Sequence, residues 1–148
     1  MRPVRAICAS KEAVMDITAK FIRENIKLEK GRYPCVKQTV YCCIVSACGT
    51  KTAFGTNWGT VKVDECPRGN LPSGEGYEMC KEICKQQFHA ETDAIENAMS
   101  SSNFELRGAT LYLTGHTFMC DDCLYAARCA GIKKAYCLDS GKVYDFYP

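Results

Sequence analysis

Phe88–Ala98 reads FHAETDAIENA, and Met119–Cys129 reads MCDDCLYAARC. Ala90, Ala94, Ile95 and Ala98 recur at the spacing that puts side chains on one face of a helix, so the first stretch predicts a helix over His89–Ser100. In the second, Asp121 and Asp122 suit the positive end of a helix dipole, and Gly131 stands where a helix stops. A helix over Asp121–Ala130 follows. Between the two, Gly108-Ala109 leads into the β-branched and apolar run Thr110–Thr114, a strand. Beyond them, Lys134–Leu138 reads as a last strand.

Upstream, Val14, Ile17, Phe21, Ile22 and Ile26 predict a helix over Ser10–Lys30, with Ser10 as its N-cap and Gly31 as its stop. Thr39–Ala47 and Thr52–Thr56 are strand-like, joined by a turn at Cys48-Gly49-Thr50-Lys51. Asn57 to Ser73 carries Gly59, Pro67, Gly69 and Pro72 and reads as a loop. Tyr77–Gln86 reads as a helical turn or short helix. The order α-β-β-α-β-α-β predicts an α/β fold with a mixed sheet covered by helices.

A chain of 148 residues is expected to form one domain, spanning 1–148. Its 47% hydrophobic and 24% charged residues are ordinary globular values. The formal charge is only +2, with no lysine- or arginine-rich run, whereas polynucleotide binders carry a basic stripe. This favours a small-molecule substrate over nucleic acid. No apolar run approaches the roughly 20 residues that span a bilayer, and MRPVRAICASKEAVMD lacks the apolar segment of a secretory signal. A cytoplasmic location with no membrane partner is the expectation. The composition stands out in its twelve cysteines. In a reducing compartment they point to metal ligation or burial rather than disulfides. Cys42 and Cys43, within TVYCCIVSAC, are expected in the core, and Cys8, Cys35, Cys129 and Cys137 receive the same reading.

His89 and Glu91 open one helix, and Cys120 and Cys123 open another. A catalytic zinc takes three protein ligands and keeps the fourth position for water. Cys-x-x-Cys at a helix start lets two thiolates reach one ion, and the imidazole of His89 completes the set. Glu91 then stands beside the metal without being needed as a ligand, placed to take a proton from the attacking water and deliver it to a ring nitrogen. Alone, Cys-x-x-Cys also fits redox pairs and structural zinc sites, and His-x-Glu alone is weak. A redox reading leaves His89 and Glu91 without a role.

His-x-Glu followed by Cys-x-x-Cys is the signature of zinc deaminases. FHAETDAIENA and ATLYLTGHTFMCDDCLYAARCAGIKKAYC resemble the deoxycytidylate deaminase branch of the cytidine and deoxycytidylate deaminases, of the bacterial and bacteriophage type. Its members show a HAE helix, a TLYVT strand, a PCxxC helix and an AGIKKVVY strand. FGTNWG is similar to the branch's TGYNG, and CPRGNLPSGEGYEMCKEIC to a segment some members carry before HAE. The resemblance runs from Val14 to Tyr136.

The resemblance implies a three-layer α/β/α fold around a central mixed sheet. It implies a zinc-dependent conversion of dCMP to dUMP and ammonia, supplying thymidylate synthesis. It further implies a homo-oligomer, commonly a hexamer, and dCTP and dTTP as effectors. By position, Asn57 would contact the sugar. Arg68 would take the phosphate, which a planar guanidinium grips with two bonds. Ala90 and His116 complete the substrate-side candidates, with a supporting role beside the metal loop or as a cap on its strand the favoured reading of His116. Met119 stands where the family has proline, and the segment from Asn57 to Pro67 is longer than usual, which shifts the register of Arg68. Related enzymes carry a second, structural zinc near the segment holding Cys66, Cys80 and Cys84, and Cys80 and Cys84 share one helical face. Two other readings stay open. One is a deaminase of free (deoxy)cytidine or of single-stranded nucleic acid. The other is a zinc-stabilised nucleotide-binding module without catalysis.

Overall fold

The computed structural model describes residues 17–71, 75–76, 78–83 and 86–147. A five-stranded sheet organises them, in the order β3 (Thr52–Thr56), β2 (Tyr41–Val45), β6 (Thr110–Thr114), β7 (Lys134–Cys137) and β8 (Lys142–Asp145). The sheet is mixed: β6 and β7 run parallel, and the other neighbours pair antiparallel. The expected fold class is the observed one.

Register explains the layers. Cys42 faces Leu113, Ile44 faces Leu111, and these continue to Cys137 and Ala135. Successive strand residues point to opposite faces, so these six share one face. They pack in one core cluster with Ala90, Ala94 and Ile95 of α3 (Ala90–Ser100) and Cys123 and Ala127 of α4 (Asp121–Cys129). The alternate positions, Cys43, Phe54 and Tyr112, face the other way. There Phe21 of α1 (Ala19–Asn25) meets Phe54, ring centroids 6.1 Å apart, and Tyr112 stacks on Tyr136. The helices thus lie on both faces. Cys42 and Cys43 are fully buried, as expected, and so is Cys137. Cys129 departs from that reading: it closes α4 on its outward face and is exposed. Cys35 is half-buried, and Cys8 lies outside the described residues.

Several boundaries differ from expectation. Helix α1 starts after Thr18, whose hydroxyl accepts the Phe21 amide at 3.1 Å, and ends where Ile26 turns extended. Of the helix expected over Ser10–Lys30, the described part is helical only over Ala19–Asn25, and residues 10–16, with Ser10 and Val14, lie outside the described residues. Gln86 belongs to a strand rather than a helix: α2 covers only Glu78–Glu82, and β5 (Gln86–Phe88) pairs with β4 (Trp58–Gly59). With β1 (Tyr33–Pro34) these form a second, three-stranded sheet, whose middle strand β4 lies in the stretch Asn57–Ser73 expected as loop. The Cys48–Lys51 turn forms as expected, closed by Ser46 amide to Lys51 carbonyl at 2.9 Å, with Gly49 at a φ of 79° that favours glycine. Strand β8 lengthens the sheet past the expected last strand. Among the described residues no helix is long and apolar enough to cross a membrane.

Candidate metal centre and active site

Both motifs sit at helix starts. His89 is the N-cap of α3, and Cys120 is the N-cap of α4. Extended backbone at each cap swings the side chain off the helix axis, while the helix begins behind it: His89 carbonyl accepts from Asp93 at 2.9 Å and Cys120 carbonyl from Leu124 at 2.9 Å. The Thr92 hydroxyl accepts the His89 amide at 3.0 Å and fixes the entry to α3.

The two starts meet although 31 residues separate them. His89 Nδ1 lies 3.3 Å from Cys123 Sγ and 3.6 Å from Cys120 Sγ. The three donor atoms all fall within 4.8 Å of one another, and among the described residues this is the group that can hold a metal ion. A tetrahedral zinc, bound at about 2.0–2.1 Å by nitrogen and about 2.3 Å by sulfur, sets an N···S edge of about 3.6 Å. The donor set fits zinc.

Glu91 sits one residue into α3 and is 5% exposed. Burial pushes its carboxyl above the ordinary range, opposed by its own backbone amide, by His89 and by a bond to Cys123. Burial, with Glu91 second, raises the Cys123 thiol strongly. A bound cation would reverse both pressures. Behind them, Asp93 of the same helix accepts the Thr56 amide at 3.0 Å in a buried bond, and so ties α3 to the end of β3.

These residues open on a cavity of about 330 Å³. Asn57, Arg68, Ala90, His89, Glu91, His116, Cys120 and Cys123 all line it, so the catalytic, metal and substrate-side candidates are brought together. Arg68 is buried, in a turn where Gly69 amide bonds the Cys66 carbonyl and Leu71 amide the Arg68 carbonyl. Asn57 builds the wall: its carbonyl accepts the Val40 amide and its amide donates to the Gln38 carbonyl, each at 2.9 Å. His116 folds onto its own loop, with Nδ1 2.8 Å from the Phe118 carbonyl and its ring 4.3 Å from that of Phe118. Cys66 and Cys80 also line the cavity, but they do not join a donor group among the described residues, and Cys84 lies outside those residues.

Lys37 and Gln38 are among the lining residues that the sequence does not mark. Lys37 donates to the Gly69 and Leu71 carbonyls at 2.8 and 2.6 Å, holding the turn that carries Arg68. Gln38 donates to the Gly115 carbonyl at 2.7 Å. Nothing in their local sequence marks them, because their partners lie 32 to 77 positions away.

Compared with known families, residues 15–139 match the model of the cytidine and deoxycytidylate deaminase zinc-binding region. A comparison with curated proteins gives no match.

Proposed function

The chain belongs to the cytidine and deoxycytidylate deaminase family, whose members are zinc-dependent hydrolases, and from that premise we propose that it deaminates dCMP to dUMP. Arg68 carries the choice of a nucleotide over a nucleoside. Its guanidinium is buried in the wall of the cavity that holds Glu91 and the donor group, and it supplies the bidentate grip a phosphate takes. Lys37 lines the same wall and adds a second cation.

In this reading His89, Cys120 and Cys123 hold the zinc. When bound, the ion would lower the pKa of a water and so supply the attacking oxygen near neutral pH. Glu91 takes the proton that the water gives up as its oxygen bonds to C4 of the cytosine ring, and passes it to N3. The regenerated carboxylate then takes the proton of the new C4 hydroxyl and delivers it to the amino group. The C4–N bond breaks, ammonia leaves, and a C4 carbonyl remains. Ala90 and His116 bound the ring. Asn57 retains one N–H and one lone pair beyond its wall bonds and meets the sugar with them.

A panel of dCMP, deoxycytidine, dCTP and single-stranded DNA tests the substrate. Preference for deoxycytidine or DNA overturns the nucleotide reading, and zinc retained with no turnover on any of them favours a non-catalytic binding module. The same assays with dCTP and dTTP test effector control, and sizing in solution tests the homo-oligomer. A second, structural zinc on Cys66, Cys80 and Cys84 accompanies this proposal, since two of the three line one wall. One zinc per chain by metal analysis removes it.

A further inference from the structure

The loop Gly115–Met119 delivers Cys120 to the metal group, and the turn and strand that follow β7 hold it along its length. Asp139 accepts the Gly115 amide at 3.0 Å through one carboxylate oxygen and the Thr114 hydroxyl at 2.7 Å through the other. Ser140 hydroxyl donates to the Thr117 carbonyl at 2.8 Å. At the loop's end, the Met119 amide donates to the hydroxyl of Tyr144 at 3.2 Å. Met119 is itself buried, so its N–H has no ready water to replace that partner.

The Tyr144 bond falls on the residue immediately before a proposed ligand. The zinc-deaminase signature has proline at this place, which fixes φ and has no N–H to satisfy. Here the backbone has a donor and lacks the ring's constraint. Tyr144 is fixed from three sides: it pairs with Ala135 in the β7–β8 ladder, packs against the core cluster, and has the Lys142 ammonium 5.2 Å from its ring centroid.

We propose that Tyr144 is a positioning residue for the metal centre, its hydroxyl setting through the Met119 amide where Cys120 presents its thiolate. The inference rests on His89, Cys120 and Cys123 being the zinc ligands. Residues that orient metal ligands carry about 10–100-fold in metal affinity. Tyr144→Phe removes only the hydroxyl, and Asp145→Asn on the same strand weakens the Lys134–Asp145 pair without touching the loop.

The test loads wild type and both variants with zinc and follows its transfer to a chelating dye. Melting of the zinc-loaded and metal-free forms is measured beside it. Tyr144→Phe is expected to lose zinc about tenfold faster or more, with a smaller zinc-induced rise in melting temperature, while Asp145→Asn matches wild type. Zinc loss from Tyr144→Phe within twofold of wild type, or equally accelerated loss from Asp145→Asn, overturns the proposal. Should Tyr144→Phe not fold, Ser140→Ala probes the same brace: faster zinc loss supports the proposal, and an unchanged rate overturns it. A wild-type chain that takes up no zinc fails the ligand reading instead.

Discussion

Gly55 of β3 lies directly against Ala94 of α3: a Cβ built on Gly55 would fall on the Ala94 amide nitrogen and the Ala90 carbonyl, and 2.8 Å from the Ala94 Cα. All of these are backbone atoms of the helix that carries Glu91 and begins at His89. The strand approaches this closely only because residue 55 has no side chain. Gly55→Ala must push α3 off the sheet, costing about 1–3 kcal/mol as overpacking. A lower melting temperature together with weaker zinc retention is expected. An unshifted melting curve would show that the helix can slide without cost.

Glu91→Gln keeps the shape of the site and removes the proton acceptor. Turnover on dCMP should fall by about 10²–10⁴-fold, with zinc content close to wild type by metal analysis. Activity near wild type would exclude Glu91 as the proton carrier.

Arg68→Ala removes the buried cation from the cavity wall. A bond to a charged group contributes about 1.5–3 kcal/mol, so KM for dCMP should rise about 10–150-fold. Deoxycytidine, having no phosphate, should be turned over about as well as by wild type. Equal losses on both substrates would assign Arg68 to the fold of its turn instead.

Without metal, burial and the nearby Glu91 hold the Cys123 thiol protonated at neutral pH. Zinc capture must displace that proton, so apparent zinc affinity falls as pH falls and strengthens as pH rises. Titration of the metal-free chain at several pH values, with proton release followed in weak buffer, checks the sign. A pH-independent affinity would argue against thiolate ligation. Chelation should also lower the melting temperature, because the ion joins α3 to α4.

Burial pushes the Cys43 thiol up to about 12 and raises Cys42 well above its usual range, whereas Cys129 is exposed. Since the thiolate is the reactive form, a short pulse of alkylating reagent on the native chain should label Cys129 and spare Cys42 and Cys43. Peptide mapping by mass spectrometry reads this directly. Early labelling of Cys43 would mean that the α1 side of the sheet opens readily.

The elements that position the metal group were legible because their signals are local. The alanine stripe of α3, the acidic start of α4 and the β-branched run of β6 each need only a window of their own residues. Strands β1 and β4, two residues each, and β5, three, exist only through pairing with distant partners, so no periodicity announces them. Gln86, at the end of a stretch with helical character, is a strand residue only because it pairs with Gly59. Helix α1 begins at Ala19 because Thr18 caps it through its hydroxyl bond to the Phe21 amide, a start that the apolar periodicity of the sequence does not mark. At the site, spacing chemistry picks out the candidate donors His89, Cys120 and Cys123, which the fold brings together, and the buried Glu91 beside them. Lys37, Gln38 and Tyr144 could not, since each acts on backbone far away in sequence.

Asn57 ties two stretches of the cavity wall together through its side chain. Its amide donates and accepts like a peptide group, a rung between Gln38 and Val40. Ageing proteins lose ammonia from asparagine side chains and keep aspartate. At position 57 that would set two oxygens facing each other across the Gln38 contact, an unmet pairing of about 1–3 kcal/mol. Loss of ammonia from this one side chain would thus undo a tie in the cavity wall, and the two hydrogen bonds that engage both ends of the amide hold it in place.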